Sequence, residues 1–255
     1  MAIIALKAWY IEEYEPIREV IKRPYDLRLS RNSLLKSGLR ADFLNDAQDV
    51  QSSDWFGRYL EGGEVEFYIE GSGGYAISNI DLISQEIYFT KQDLSTTLEP
   101  IIYFSSQKIY PNSSAILRES LAAILEKFNQ RSRITLTLEE SLRPAEGPVR
   151  LSNTQLRKIR KSLLFVADGT IVTKGGEDNQ QLIPSANVSI EIGYALHSKK
   201  SGQMLLAQQK RPEFAGSYPF DLPNRQQLVF QDEKGLKKTL GKTLEGLLKR
   251  FNLFS

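Results

Sequence analysis

Beyond Pro100, short apolar runs alternate with segments of helical periodicity, and one of these runs constrains the fold most strongly. Residues 163–167 read LLFVA, an unbroken apolar run that is typical of a strand buried on both faces. Further strands are expected at residues 101–104, 134–138, 204–207 and 228–230, and helices at residues 115–128, 152–162, 186–198 and 236–251. This alternation predicts βαβ units and an α/β fold, with a mostly parallel sheet, helices on both faces and the LLFVA strand near its centre.

The first part of the chain lacks this alternation and has a different composition. Residues 65–69 and 75–80 contain strand-forming side chains and flank a glycine-rich break, so they predict a β-hairpin. Residues 86–90 are a third strand candidate, residues 33–35 a short helix and residues 42–49 a polar turn. We therefore expect two domains: a small α+β region at residues 1–97 and the α/β domain at residues 98–255.

The residue inventory excludes several classes of chemistry. The chain has no cysteine and a single histidine, His197, so disulfides, thiol catalysis and zinc sites built from Cys or His clusters are excluded. A formal net charge of +2 gives no argument for a nucleic-acid partner. The N-terminus lacks the pattern of a signal peptide, and no apolar run approaches the roughly 18 residues that cross a bilayer. We expect a cytoplasmic protein without a membrane span or a metal.

The residues after the LLFVA strand carry the strongest functional signal. Asp168-Gly169-Thr170 falls at the carboxyl end of that strand, which is where parallel α/β sheets bind ligands. Ser185 is a plausible N-cap for the next helix. Helical spacing then places Val188, Ile192, Ala195 and Leu196 on the buried stripe, and it predicts Asn187, Glu191 and Tyr194 on a different face. Gly193 is expected to permit close approach of a neighbour or ligand.

These segments together resemble a known group of domains. The pattern consists of Asp168-x-Thr170, Asn187-Val188, Glu191-x-Gly193-Tyr194-Ala195 and Pro219-Phe220-Asp221-Leu222. It is similar to that of nucleoside 2-deoxyribosyltransferase-like and Toll/interleukin-receptor-like predicted nucleotide-binding domains. The resemblance covers about residues 101–230 and implies a flavodoxin-like sheet.

The resemblance also implies a function. In the family, the helix glutamate acts on an N-glycosidic bond, a role that corresponds to Glu191, and the acid at the strand end corresponds to Asp168. Thr170, Asn187, Tyr194 and Asp221 would then bind the substrate. The expected substrate is a nucleotide or nucleoside, NAD among them, and no resident cofactor is required.

Two other interpretations remain open. The pocket could serve a non-catalytic nucleotide sensor or assembly module whose N-terminal region contacts a protein partner or a second copy, or it could be an empty scaffold. Sixteen residues, 171–186, separate Thr170 from Asn187, where relatives commonly have only a few. This insertion would cover or fill the pocket. Two alternatives without a function are also open: Glu191 as a solvent-exposed helix residue, and Asp168 as a residue that does no more than cap the turn after its strand.

Overall fold

The chain forms two compact units, Met1–Leu98 and Glu99–Ser255, and their boundary lies within two residues of the expected one. The computed structural model describes residues 5–30, 33–34, 38–93, 95–143, 152–175, 181–200, 202–216, 218 and 226–254. Within these residues, the structure has no helix that is both long enough and apolar enough to cross a membrane.

The N-terminal unit is built on one antiparallel sheet. Its strands are β1 (Ala5–Ile11), β2 (Leu27–Ser30), β3 (Ser33–Leu34), β4 (Gly38–Asp42), β5 (Glu66–Ile69), β6 (Gly73–Asp81) and β7 (Glu86–Gln92). They pair in the order β2-β1-β5-β6-β7-β4-β3. Three short helices accompany the sheet: α1 (Ile17–Val20), α2 (Ala47–Gln51) and α3 (Asp54–Leu60).

Three sequence predictions for this unit have clear outcomes. The hairpin is confirmed, because β5 pairs with β6 in antiparallel register. The helix expected at residues 33–35 is wrong for Ser33–Leu34, which pair with β4 as a strand and so obtain backbone hydrogen bonds from the sheet. The polar turn expected at residues 42–49 contains the start of α2, which Asp46 caps by accepting a hydrogen bond from the Gln48 backbone.

The C-terminal unit is an α/β structure around a five-stranded parallel sheet. Its strands are β8 (Glu99–Ser105), β9 (Thr137–Glu140), β10 (Ser162–Asp168), β13 (Met204–Gln209) and β14 (Gln227–Phe230). They lie in the order β14-β13-β10-β8-β9, and every neighbouring pair is parallel. The predicted parallel sheet with the residue 163–167 strand at its centre is confirmed. The second strand begins three residues later and ends two residues later than predicted.

Helices flank this sheet: α4 (Pro111–Asn129), α5 (Asn153–Lys161), α6 (Ala186–Ser198) and α7 (Glu233–Leu248). Because side chains alternate along a strand, Tyr103, Phe165 and Ala167 point to one face, where they form an apolar cluster with residues of α5 and α6. On the other face, α4 and α7 pack against each other and against β10.

The insertion after Thr170 forms a hairpin. Its strands are β11 (Ile171–Gly175) and β12 (Gln181–Pro184), which pair in antiparallel register. Ile171 and Leu182 are buried, so the base of the hairpin belongs to the folded unit. Residues 176–180 between the strands lie outside the described residues. The described part is therefore ordered β-structure rather than the polar, flexible loop that its composition predicts.

Candidate functional site

The strand order creates a point at which the chain direction across the sheet reverses. From β8 the chain crosses to β9 on one side, whereas from β10 it proceeds to β13 and β14 on the other. The loops that leave the carboxyl ends of β8 and β10 therefore diverge, and such a switch point is where open α/β sheets bind ligands. Ser105 ends β8 and Asp168 ends β10, and Ser105 pairs in register with Ala167.

Glu191 lies beside this switch point, and its side chain has no solvent exposure. Its Oε1 accepts hydrogen bonds from Arg143 Nη1 at 2.7 Å and Gln155 Nε2 at 2.6 Å. Its Oε2 accepts from Arg143 Nη2 at 2.9 Å and Ser105 Oγ at 2.5 Å. A carboxylate has about four acceptor positions. All of them are filled by protein donors, which fixes the carboxylate in one orientation.

This burial corrects the prediction about helix faces. Glu191 lies on the same buried side of α6 as Val188, Ile192 and Ala195, whereas Leu196, which was predicted on that side, is exposed. The solvent-exposed alternative for Glu191 is thus wrong. Gly193 is exposed, and among the described atoms none lies within 4 Å of a Cβ built there, so the expected close approach of a neighbouring residue is wrong for the described part of the chain, while approach of a ligand stays a prediction.

Arg143 is the partner that neutralises Glu191. It follows β9, its side chain is only 6% exposed, and its two terminal nitrogens bind the two carboxylate oxygens in the bidentate geometry that strengthens such pairs. Its Nε donates to the Ser106 carbonyl at 2.8 Å. The guanidinium thus connects α6 to the segment that leaves β8. The sequence analysis missed Arg143 because no motif includes it.

Burial of the Glu191 surroundings also affects a tyrosine. The pKa of the Tyr103 phenol is raised above its ordinary value, first by burial and then by the negative charge of Glu191. Tyr103 lies on β8 two residues before Ser105 and so shares its face of the sheet. The phenol is therefore neutral at physiological pH, and it adds no charge to the site.

Asp168 is also fully buried, but it has a different set of partners. Its Oδ2 accepts hydrogen bonds from Ser113 Oγ and Ser114 Oγ, both at 2.6 Å, and its Oδ1 accepts from the Thr170 backbone at 3.1 Å. Ser113 and Ser114 belong to the first turn of α4, so Asp168 points to the α4 face of the sheet, whereas Ser105 and Glu191 meet on the α6 face. Asp168 thus fixes the start of α4 and the turn after β10.

A short backbone segment lies between the two carboxylate clusters. After Ser105 and Ser106, the Gln107 backbone donates to Ser114 Oγ at 2.9 Å, and Gln107 Nε2 donates to the Thr170 carbonyl at 3.1 Å. Thr170 Oγ1 accepts from the Gln209 backbone at 2.9 Å, which ties the turn after β10 to the end of β13. Thr170 is fully buried, so in this arrangement it supports the turn.

The remaining residues considered in the sequence analysis have no described hydrogen bond to the Glu191 or Asp168 carboxylates. Asn187 lies half-exposed in the first turn of α6, and half-buried Tyr194 packs against the apolar cluster under the sheet. Asp221 lies outside the described residues. His197 is exposed in the last turn of α6, as expected for a residue without a role in the site. Within the described residues, no group of three or more acidic or histidine side chains is arranged to hold a metal ion.

Gly169 closes the turn between Asp168 and Thr170. A Cβ atom at this position would collide with the Leu206 side chain and would lie 2.9 Å from Tyr218 Oη. The glycine therefore allows the turn after β10 to pack directly against β13. Comparison of the chain with protein families, with curated proteins and with solved structures found no match.

Proposed function

We propose that the C-terminal unit binds a nucleotide or nucleoside at the carboxyl edge of its parallel sheet and cleaves or transfers its N-glycosidic bond with Glu191. The observation that carries the proposal is the buried carboxylate beside the switch point between β8 and β10. Numbered within this unit, the strand order is 2-1-3-4-5, which is the order of flavodoxin-like sheets that bind nucleotides at this point. The motif around Glu191 supports the same assignment.

The chemistry requires a negative charge near the anomeric carbon. As the bond between that carbon and the base breaks, its electron pair leaves with the base and positive charge develops on the sugar. A fixed carboxylate stabilises this charge, or attacks the carbon and forms a covalent intermediate, and water or an acceptor base then bonds to that carbon and completes the reaction. Ser105 and Gln155 are positioned to keep the Glu191 carboxylate oriented during this step.

NAD is the first substrate to test, and Asn187 and Tyr194 are the proposed sugar contacts.

A second function is favoured by one specific observation. Because protein donors fill all four acceptor positions of Glu191, the carboxylate of this arrangement has no free lone pair for a substrate. A nucleotide sensor or assembly module, in which Glu191 and Arg143 only stabilise the fold, would need no such lone pair. The enzyme requires that Arg143 exchange partners when the substrate binds.

One experiment separates these functions. The full chain is incubated with NAD and with a panel of ribo- and deoxyribonucleosides, and the products are separated by chromatography and identified by mass. Thermal unfolding is recorded with the same ligands. Release of the free base supports the enzyme. A raised unfolding temperature without any product supports the sensor, and the absence of both contradicts nucleotide recognition.

A further inference from the structure

The Arg143–Glu191 pair points to a property of the ligand that the proposed function leaves open. We infer that Arg143 is an anion-binding residue: a phosphate group of the ligand takes its guanidinium away from Glu191 and so frees the carboxylate. This inference rests on the proposed function of the site, and it narrows the ligand class from nucleosides and nucleotides to phosphate-carrying nucleotides.

The geometry of the pair supports such an exchange. Arg143 uses Nη1 and Nη2 for the two Glu191 oxygens, at 2.7 and 2.9 Å, while its Nε is held separately by the Ser106 carbonyl at 2.8 Å. The two nitrogens that face the carboxylate can bind two phosphate oxygens in the same forked manner. The guanidinium has to turn away from Glu191 for this exchange, and that movement also loosens its bond to the Ser106 carbonyl.

The charge of the pair explains why the displacing group must be an anion. Arginine stays protonated under all ordinary conditions, and at 6% exposure its guanidinium cannot be left without a negative partner at low cost. A neutral sugar or base offers only dipoles in place of the Glu191 charge. A phosphate replaces that charge in full.

Glu191 also remains supported after Arg143 has changed partner. Gln155 Nε2 still donates to Oε1 and Ser105 Oγ to Oε2, and both donors are neutral. The carboxylate then keeps its charge and its orientation but gains two free acceptor positions. These are the properties required of a group that faces a developing sugar cation.

Three ligands with the same glycosidic bond and the same leaving base provide a matched test. Nicotinamide riboside carries no phosphate, nicotinamide mononucleotide carries one, and NAD carries two in a pyrophosphate. Calorimetry measures their dissociation constants with the wild-type full chain, with Glu191→Gln and with Glu191→Gln/Arg143→Gln. Circular dichroism checks that each variant is folded, and Arg157→Gln, an exposed arginine of α5, serves as the control substitution.

The inference predicts that Glu191→Gln strengthens binding of the two phosphate-carrying ligands but not of the riboside. Glu191→Gln removes the anion that competes for Arg143, so the mononucleotide and NAD should bind about tenfold more tightly than to the wild type, whereas the riboside should gain nothing. The gain should disappear in the double variant and be absent in Arg157→Gln. Arg143→Lys, which keeps the charge without the fork, should lower the preference for mononucleotide over riboside by roughly tenfold.

The inference is overturned if Glu191→Gln and the wild type bind the mononucleotide equally, if the gain persists without Arg143, or if none of the three ligands binds. If the double variant or Glu191→Gln is unfolded, the Arg143→Lys comparison decides alone. These readouts are affinities and do not depend on turnover. The predicted affinity pattern without base release would contradict the catalytic proposal only, whereas base release without any phosphate preference would contradict only the role of Arg143.

Discussion

The burial of Glu191 follows from its position in helix α6, although a charged residue is rarely buried. Residues 188, 191, 192 and 195 follow the i, i+3, i+4, i+7 spacing of one helical stripe, and all four are buried. This spacing indicates that Glu191 is buried, although the sequence analysis used helical spacing to place it on another face, beside Asn187 and Tyr194. Its partner could not be predicted, because Arg143 lies 48 residues away along the chain and only the sheet brings the two together.

The burial of this ion pair makes it sensitive to the loss of one partner. Arg143→Leu leaves the Glu191 charge buried without a cation, and we expect the unfolding free energy of the C-terminal unit to fall by about 3–5 kcal/mol. Arg143→Leu/Glu191→Leu removes both charges and should be clearly more stable than Arg143→Leu, because no buried ion remains unpaired. Urea denaturation at neutral pH, followed by circular dichroism, measures these two variants and the single variant Glu191→Leu. A double variant that loses the sum of the two single effects would show that the residues are not coupled.

At the scale of secondary-structure elements, strands with a simple pattern could be predicted and strands with a mixed pattern could not. The apolar run of β10 was located to within one residue at each end. In contrast, β2 and β4 were missed because arginines interrupt their apolar residues. Their burial alternates, with Leu27 and Leu29 inside and Arg28 outside, and this period of two was the available signal. The hairpin of β11 and β12 was missed because glycines and charged residues dominate its centre.

Two glycines of the C-terminal unit allow a matched test of how the elements pack. Gly169→Ala should lower the unfolding free energy by about 1–3 kcal/mol, because its Cβ would push Leu206 and Tyr218 out of their positions. Gly193→Ala, on the exposed side of α6, should raise it by about 0.5–1 kcal/mol, since alanine favours the helix and the added methyl meets no described atom within 4 Å. Thermal and urea unfolding measure both variants. Equal effects of the two substitutions would mean that β10 and β13 do not pack as described.

For the whole molecule, the boundary between the units was predictable because the pattern changes at Pro100 from irregular strands to alternating strands and helices. The architecture of the first unit was not, since a seven-stranded antiparallel sheet depends on strand pairings that a sequence pattern does not encode. At the proposed site, the motif predicted Glu191 and the carboxyl edge of the sheet, and the structure places Glu191 beside the switch point at that edge. It did not reveal that Asp168 and Glu191 bond to separate partners on opposite faces.

The two units provide their own spectroscopic labels. Both tryptophans, Trp9 and Trp55, belong to the N-terminal unit, whereas most helical residues belong to the C-terminal unit. We expect Arg143→Leu to lower the urea midpoint of the helical circular dichroism signal, which reports mainly on the C-terminal unit. The urea midpoint of tryptophan fluorescence, which reports on the N-terminal unit, should stay unchanged. Equal shifts of both signals would contradict this expectation.

Base release by Glu191→Gln tests most directly the proposal that the Glu191 carboxylate acts on an N-glycosidic bond. The substitution keeps the volume and removes the charge, so turnover of the substrate found for the wild type should fall by about 100-fold to 1,000-fold while nucleotide binding is retained. Asp168→Asn should be milder because Asp168 fixes the turn after β10, and Glu126→Gln, on the exposed side of α4, should have no effect. A folded Glu191→Gln protein that releases the base as fast as the wild type would contradict the account.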